Sequence, residues 1–133
     1  MGGQSIIRVL IVDDERAIRE SFAACLRDYG LEAAGAASAK EALELLAVER
    51  FDVALVDVRL RETDGEKLIM QAHEVAPSTR FMIHTGSADY RPSKDLRSIG
   101  IGSEHILLKP QTDLPLLVQT ILTLAIKGRD CDS

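Results

Sequence analysis

The sequence predicts an α/β domain: a doubly wound parallel sheet of five strands, in the order 2-1-3-4-5, flanked by five helices. Two observations carry that expectation. Short runs that are apolar at successive positions, Val9–Val12, Val53–Val56, Phe81–Ile83 and Ile106–Leu108, suit parallel strands covered on both faces. Longer stretches with apolar residues at helical spacing separate them, and right-handed crossovers fold such an alternation into a layered sheet. A chain of 133 residues has room for one such domain.

The elements follow in order. After the first strand, Ile18, Phe22, Cys25, Leu26 and Tyr29 mark one face of a helix, with Gly30 as its C-cap. Leu31–Ala37, rich in Ala and containing Gly35, is a weaker strand that suits a sheet edge. Ser38 and Glu41 form a capping box ahead of Ala42, Leu43, Leu45 and Leu46. Leu68, Ile69, Ala72 and Val75 continue the helical pattern until Pro77. Asp89–Ile99 is a poorer helix, containing Pro92 and stopping at Gly100. The last helix, Asp113–Lys127, opens with Thr112 or Asp113 as cap and Pro115 in its first turn. The domain is expected to span residues 6–127, with 1–5 and 128–133 as flexible termini.

Composition narrows the function. The net charge of -5, from 16 Lys+Arg against 21 Asp+Glu, argues against direct nucleic-acid contact, which needs clustered cations. Aromatic residues make up 4% and Trp is absent, so the core is aliphatic and base-stacking platforms are disfavoured. Cys25 and Cys131 form no metal-ligand spacing and no disulfide framework. The first residues, Met1-Gly2-Gly3-Gln4-Ser5, hold no apolar core of signal-peptide length, and no apolar run approaches the roughly 18 residues of a membrane span. These features suit a cytoplasmic protein with no membrane contact.

The chemistry gathers at the carboxyl ends of the expected strands, where open α/β sheets bind their ligands. Asp13, Asp14 and Glu15 follow the first strand, and Asp57, Val58 and Arg59 follow the third. Thr85, Gly86 and Ser87 follow the fourth, and Lys109 with Pro110 follows the fifth. Strands 1, 3, 4 and 5 are neighbours in the expected order, about 4.8 Å apart, so their ends converge. Three clustered carboxylates repel one another unless a cation intervenes. An open, oxygen-rich site of this kind suits Mg2+, whereas zinc would call for His or Cys. Beside Mg2+ one carboxylate can attack a phosphoryl group, with Lys109 and Thr85 holding its oxygens.

The segments VLIVDDE, VALVDVRL, MIHTGS and LLKP, in this order and spacing, resemble the receiver domain of two-component response regulators. The likeness runs from about Ile7 to Lys127 and implies the flavodoxin-like fold of chemotaxis regulators. It implies Asp57 as phosphoacceptor, taking its phosphoryl group from a histidine kinase or histidine phosphotransfer protein. Mg2+ would be held by Asp14 and Asp57 directly, by Asp13 mainly through water, and by the main-chain carbonyl of Arg59. Thr85 would follow the phosphoryl group and Lys109 would pair with it, the Lys109–Pro110 bond being cis. Asp64-Gly65 matches the pair that precedes the family's third helix. The chain would act as a signalling receiver rather than an enzyme, hydrolysing its own acyl phosphate slowly.

Departures bear on output. Ile106 stands where the family places Tyr or Phe, Arg61 where Pro is common, and Gln111 where Phe is common. A phosphorylation-independent interaction or dimerisation module is therefore the alternative. An aspartyl-phosphate phosphatase would need an acid where Arg59 stands. A flavodoxin would need phosphate donors where the first loop is acidic. His73, His84 and His105 read as structural. Apolar residues outside one stripe of the last helix, Leu116 and Ile126, suggest a partner or homodimer face along the fourth helix, fifth strand and fifth helix. With no DNA-binding segment in sight, the chain is expected to act through protein contacts or as part of a longer regulator.

Overall fold

The computed structural model describes residues 6–60, 63–109 and 113–132, with side chains described as far as 128. Its elements are β1 (Arg8–Val12), α1 (Arg16–Asp28), β2 (Glu32–Ala36), α2 (Ala39–Val48), β3 (Val53–Asp57), α3 (Gly65–Val75), β4 (Arg80–Thr85), α4 (Lys94–Ser98), β5 (Ile106–Leu108) and α5 (Leu114–Asp132). A single 3-10 turn, Ser103–His105, leads into β5. The five strands are parallel, in the expected order β2-β1-β3-β4-β5.

Apolar residues at successive strand positions have the expected cause: each strand feeds two cores. Leu10, Val12, Ala54, Val56, Phe81 and Ile83 pack beneath α2, α3 and α4. Val9, Ile11, Val53, Leu55, Met82 and Leu107 pack beneath α1 and α5. β2 forms the edge. Glu32 donates its N–H to the Ile7 carbonyl, so strand alternation turns the Ala33 carbonyl outward. Arg27 Nη2 meets that carbonyl at 3.0 Å, and the Arg19 side chain lies over Gly35.

Caps set most helix boundaries. The Ser38 hydroxyl accepts from the Glu41 N–H, Asp64 caps α3 through the Lys67 N–H, and Asp113 caps α5 through the Leu116 N–H. Gly30, at φ +86°, follows α1 in the left-handed conformation that glycine adopts without strain.

Two expected helices differ. The helix expected over Asp89–Ile99 is confined to Lys94–Ser98. Pro92 keeps the residue before it out of the helical region, and Ser93 then caps the shorter helix through the Leu96 N–H. The last helix continues past Lys127 to Asp132. Gly128 is a packing residue here instead of a stop, since a Cβ on it would lie 3.2 Å from Arg80 Cγ and 3.3 Å from the Ser78 carbonyl oxygen. His105 lies in the 3-10 turn, where its Nδ1 accepts from the Gly102 N–H. The cis bond expected at Lys109–Pro110, the residues Arg61, Gln111 and Thr112, and the first five residues lie outside the described residues.

Candidate functional site

Strand register delivers the acidic residues together. Val12 pairs with Val56, so β1 and β3 end side by side and release Asp13, Asp14 and Asp57 at one edge. Each of the three offers a carboxylate oxygen within 4.8 Å of the others. Asp13 and Asp57 are buried, while Asp14 is partly open to the cleft. Burial pushes the Asp13 carboxyl above its usual range. The Glu15 N–H, donating to Asp13 Oδ1 at 2.9 Å, works against that rise, as does Lys109, while Asp57 and Asp14 add to it.

Lys109 comes from the far side of the sheet. Its N–H donates to the Thr85 carbonyl at 2.7 Å, holding the end of β5 beside β4. Its ammonium reaches Asp57 Oδ2 at 3.0 Å and stands 3.9 Å from Asp13 Oδ2. The other oxygen of Asp57, Oδ1, accepts the Arg59 N–H at 3.0 Å. Thr85 is buried, and its Oγ1 accepts the Ser87 N–H at 3.1 Å, which leaves the hydroxyl proton to donate elsewhere. Arg59, Gly86 and Ser87 line the rim with Glu15.

The residues that sequence reasoning singled out, Asp13, Asp14, Asp57, Arg59, Thr85 and Lys109, all meet here. Two further contacts shape the rim of the site. Gly65 donates to the Val58 carbonyl at 2.8 Å, and a Cβ on it would come 2.3 Å from the Asp57 carbonyl oxygen. No residue but glycine fits there. Next along α3, Glu66 accepts a hydrogen bond from the Tyr90 hydroxyl in the loop after β4. Neither spacing nor motif pairs those two residues in the sequence.

His84 lies in register with Asp57 on β3 and Leu107 on β5. Its ring meets Phe22 edge-on, 5.2 Å between centroids, and its buried Nε2 has no hydrogen-bond partner among the described residues. Burial, reinforced by Lys109 and opposed by Asp57, lowers its pKa to about 4. A neutral, enclosed imidazole makes a packing residue.

The donor set suits a hard cation: three clustered carboxylates, with no His or Cys among the ligand atoms of the cluster. Among the described residues, no helix is long and apolar enough to cross a membrane.

The model of the response regulator receiver domain family matches residues 9–121. The chain belongs to this family and is a receiver domain of response regulators. It is similar to the alginate biosynthesis transcriptional regulatory protein AlgB of Pseudomonas putida, 35% identical over 120 residues, covering 90% of this chain and 26% of that protein. Response regulator protein PilR of Pseudomonas aeruginosa is 36% identical over 118 residues, covering 87% of this chain and 25% of that one. The chain thus spans about a quarter of the length of these relatives. Among solved structures, a CheY-like receiver domain protein from Methanospirillum hungatei JF-1 superimposes with a TM-score of 0.80 at 30% identity, covering 95% of this chain and 98% of that one.

Proposed function

We propose that this receiver, spanning residues 6–127, accepts a phosphoryl group on Asp57 from the phosphohistidine of a histidine kinase or histidine phosphotransfer protein, within a two-component or phosphorelay system. The observation that carries this reading is the meeting of Asp13, Asp14 and Asp57 with the Lys109 ammonium at one strand edge. Asp57 attacks phosphorus through a carboxylate oxygen. A P–O bond forms as the P–N bond breaks, and the imidazole nitrogen keeps the electron pair and takes up a proton from solvent. Asp14, Asp57 and the Arg59 carbonyl would hold Mg2+, with Asp13 acting mainly through water. Bound there, the ion offsets carboxylate repulsion and binds phosphoryl oxygens. Lys109 and the Thr85 hydroxyl stabilise the charge that the phosphoryl group brings. Slow hydrolysis of the acyl phosphate resets the switch.

Output passes through protein contacts. Leu108, Leu116 and Ile126 are 46%, 53% and 57% exposed on β5 and α5, apolar surface that favours a partner or a second copy along α4, β5 and α5. Incubation with acetyl phosphate and Mg2+ is expected to add the mass of one phosphoryl group. The gain should vanish without Mg2+ and in Asp57→Ala. An undiminished gain in Asp57→Ala overturns the assignment.

Ile106, half-buried where the receiver-family pattern has Tyr or Phe, favours a second reading, a module that binds partners without phosphorylation. An oligomeric state identical with and without Mg2+ and beryllofluoride would support it.

A further inference from the structure

Two loops rim the acidic cleft, and one side-chain contact bridges them. The loop after β3 ends at Gly65, pressed against the Asp57 carbonyl, and the next residue, Glu66, stands in the first turn of α3. The loop after β4 begins at Thr85. Ser87 donates its N–H to Thr85 Oγ1 at 3.1 Å, and the Ser87 carbonyl accepts the Tyr90 N–H at 3.3 Å. The Tyr90 hydroxyl then donates to Glu66 Oε2. A ring of short connections thus runs from Asp57 through Gly65, Glu66, Tyr90 and Ser87 to Thr85, whose strand neighbours Asp57's own.

We propose that the Tyr90–Glu66 hydrogen bond is a clasp that holds the loop after β4 against α3, and that a phosphoryl group in the acidic cleft opens it. The proposal rests on the phosphoacceptor reading above. Thr85 Oγ1 serves as acceptor for Ser87 while its own proton is free to donate. When the hydroxyl turns toward a phosphoryl oxygen near Asp57, its oxygen leaves the Ser87 N–H. Ser87 anchors Tyr90, so the turn loses its fixed end and the phenol is drawn from Glu66. The ring of Tyr90 packs against the core under α2, α3 and α4, the same core that Ile106 touches. Burial first, and then Glu66 and Asp64, hold the phenol well above its ordinary range, so the hydroxyl remains the donor across physiological pH. Opening the clasp frees a carboxylate and a phenol at the rim and changes the surface that a partner meets. Tyr90 acts here as a positioning residue, through Ser87 and Thr85.

Tyrosine emission reports the clasp directly, because the chain has no Trp and only two Tyr. Tyr29→Phe removes the exposed one and leaves Tyr90 as the sole fluorophore. A carboxylate acceptor quenches tyrosine emission, so adding Mg2+ and beryllofluoride to Tyr29→Phe should raise it. Glu66→Gln in the same background should be bright from the start and change little. Tyr90→Phe, which keeps the ring, should bind beryllofluoride roughly fivefold more tightly by calorimetry, since no clasp has to break. Beryllofluoride binding with unchanged emission, or with unchanged or weaker affinity in Tyr90→Phe, overturns the clasp alone. No beryllofluoride binding in the unmodified chain overturns the phosphoacceptor reading, and the clasp with it.

Discussion

Lys109 and Asp57 approach from opposite sides of β4, with Nζ 3.0 Å from Oδ2, across the strand that lies between theirs in the sheet. The same ammonium stands 3.9 Å from Asp13 Oδ2, so one cation serves two buried carboxylates. It neutralises charge without coordinating, and so competes with any metal for Asp57. Replacing it separates those effects. Lys109→Met is expected to bind Mg2+ several-fold more tightly in calorimetry. It should take up phosphoryl groups from acetyl phosphate about 100-fold more slowly by mass spectrometry, for want of electrostatic stabilisation. Equal losses in both measurements would contradict this division of roles.

Asp13 is buried against two like charges, and its raised pKa means that its ionised form costs stability at neutral pH. Asp13→Asn keeps an acceptor for the Glu15 N–H and removes the charge. The metal-free protein should gain about 1 kcal/mol in urea unfolding at pH 7, a gain that shrinks as pH falls and the native carboxyl protonates. Mg2+ affinity should move the other way.

Gly65 tests how tightly α3 is seated. In Gly65→Ala the Cβ meets the Asp57 carbonyl oxygen at 2.3 Å, a backbone atom that cannot rotate away. Overpacking of this kind should cost roughly 1–3 kcal/mol. Phosphoryl uptake should fall as well, even below the unfolding transition, because the displaced atom belongs to Asp57, the proposed phosphoacceptor.

His84 predicts an acid limb. Its folded pKa of about 4 lies below the unfolded value near 6.5, so the unfolded chain binds the proton first. The stability associated with the neutral ring is complete above pH 6.5 and drains away as pH falls toward 4, by up to roughly 3 kcal/mol. Asp13, with its raised pKa, pulls in the opposite sense, so the contrast between variants is the decisive measurement. His84→Leu, which keeps the contact with Phe22, should flatten the difference in unfolding free energy between pH 7 and pH 4.5. A slope equal to that of the unmodified chain would exclude His84 as its source.

How far the sequence could be read depended on the kind of signal. Asp13, Asp14, Asp57, Thr85 and Lys109 each follow a short apolar strand run, and strand order brings the ends of such runs together. That logic is local in sequence and global only through topology, so the site was legible. The length of α4 was not, because an amphipathic pattern over Asp89–Ile99 competed with the backbone restriction at Pro92. Nor was the continuation of α5 past Lys127, since a glycine packed closely against Ser78 and Arg80 is indistinguishable in sequence from one that ends a helix. The Tyr90–Glu66 contact joins the loop after β4 to α3, where neither period nor spacing carries information.

The guanidinium of Arg27, resting on the Ala33 carbonyl, has a consequence for how copies of this protein meet. An outermost strand with bare amides and carbonyls invites a neighbour to extend it, the usual first step toward ribbons and fibres. With one of those carbonyls claimed and the Arg19 stem laid across Gly35, that border offers a poor template for further strands. Of the two outermost strands, β2 is thereby made unfit to recruit a second copy by strand addition, which leaves helix and side-chain surfaces as the routes open to a partner.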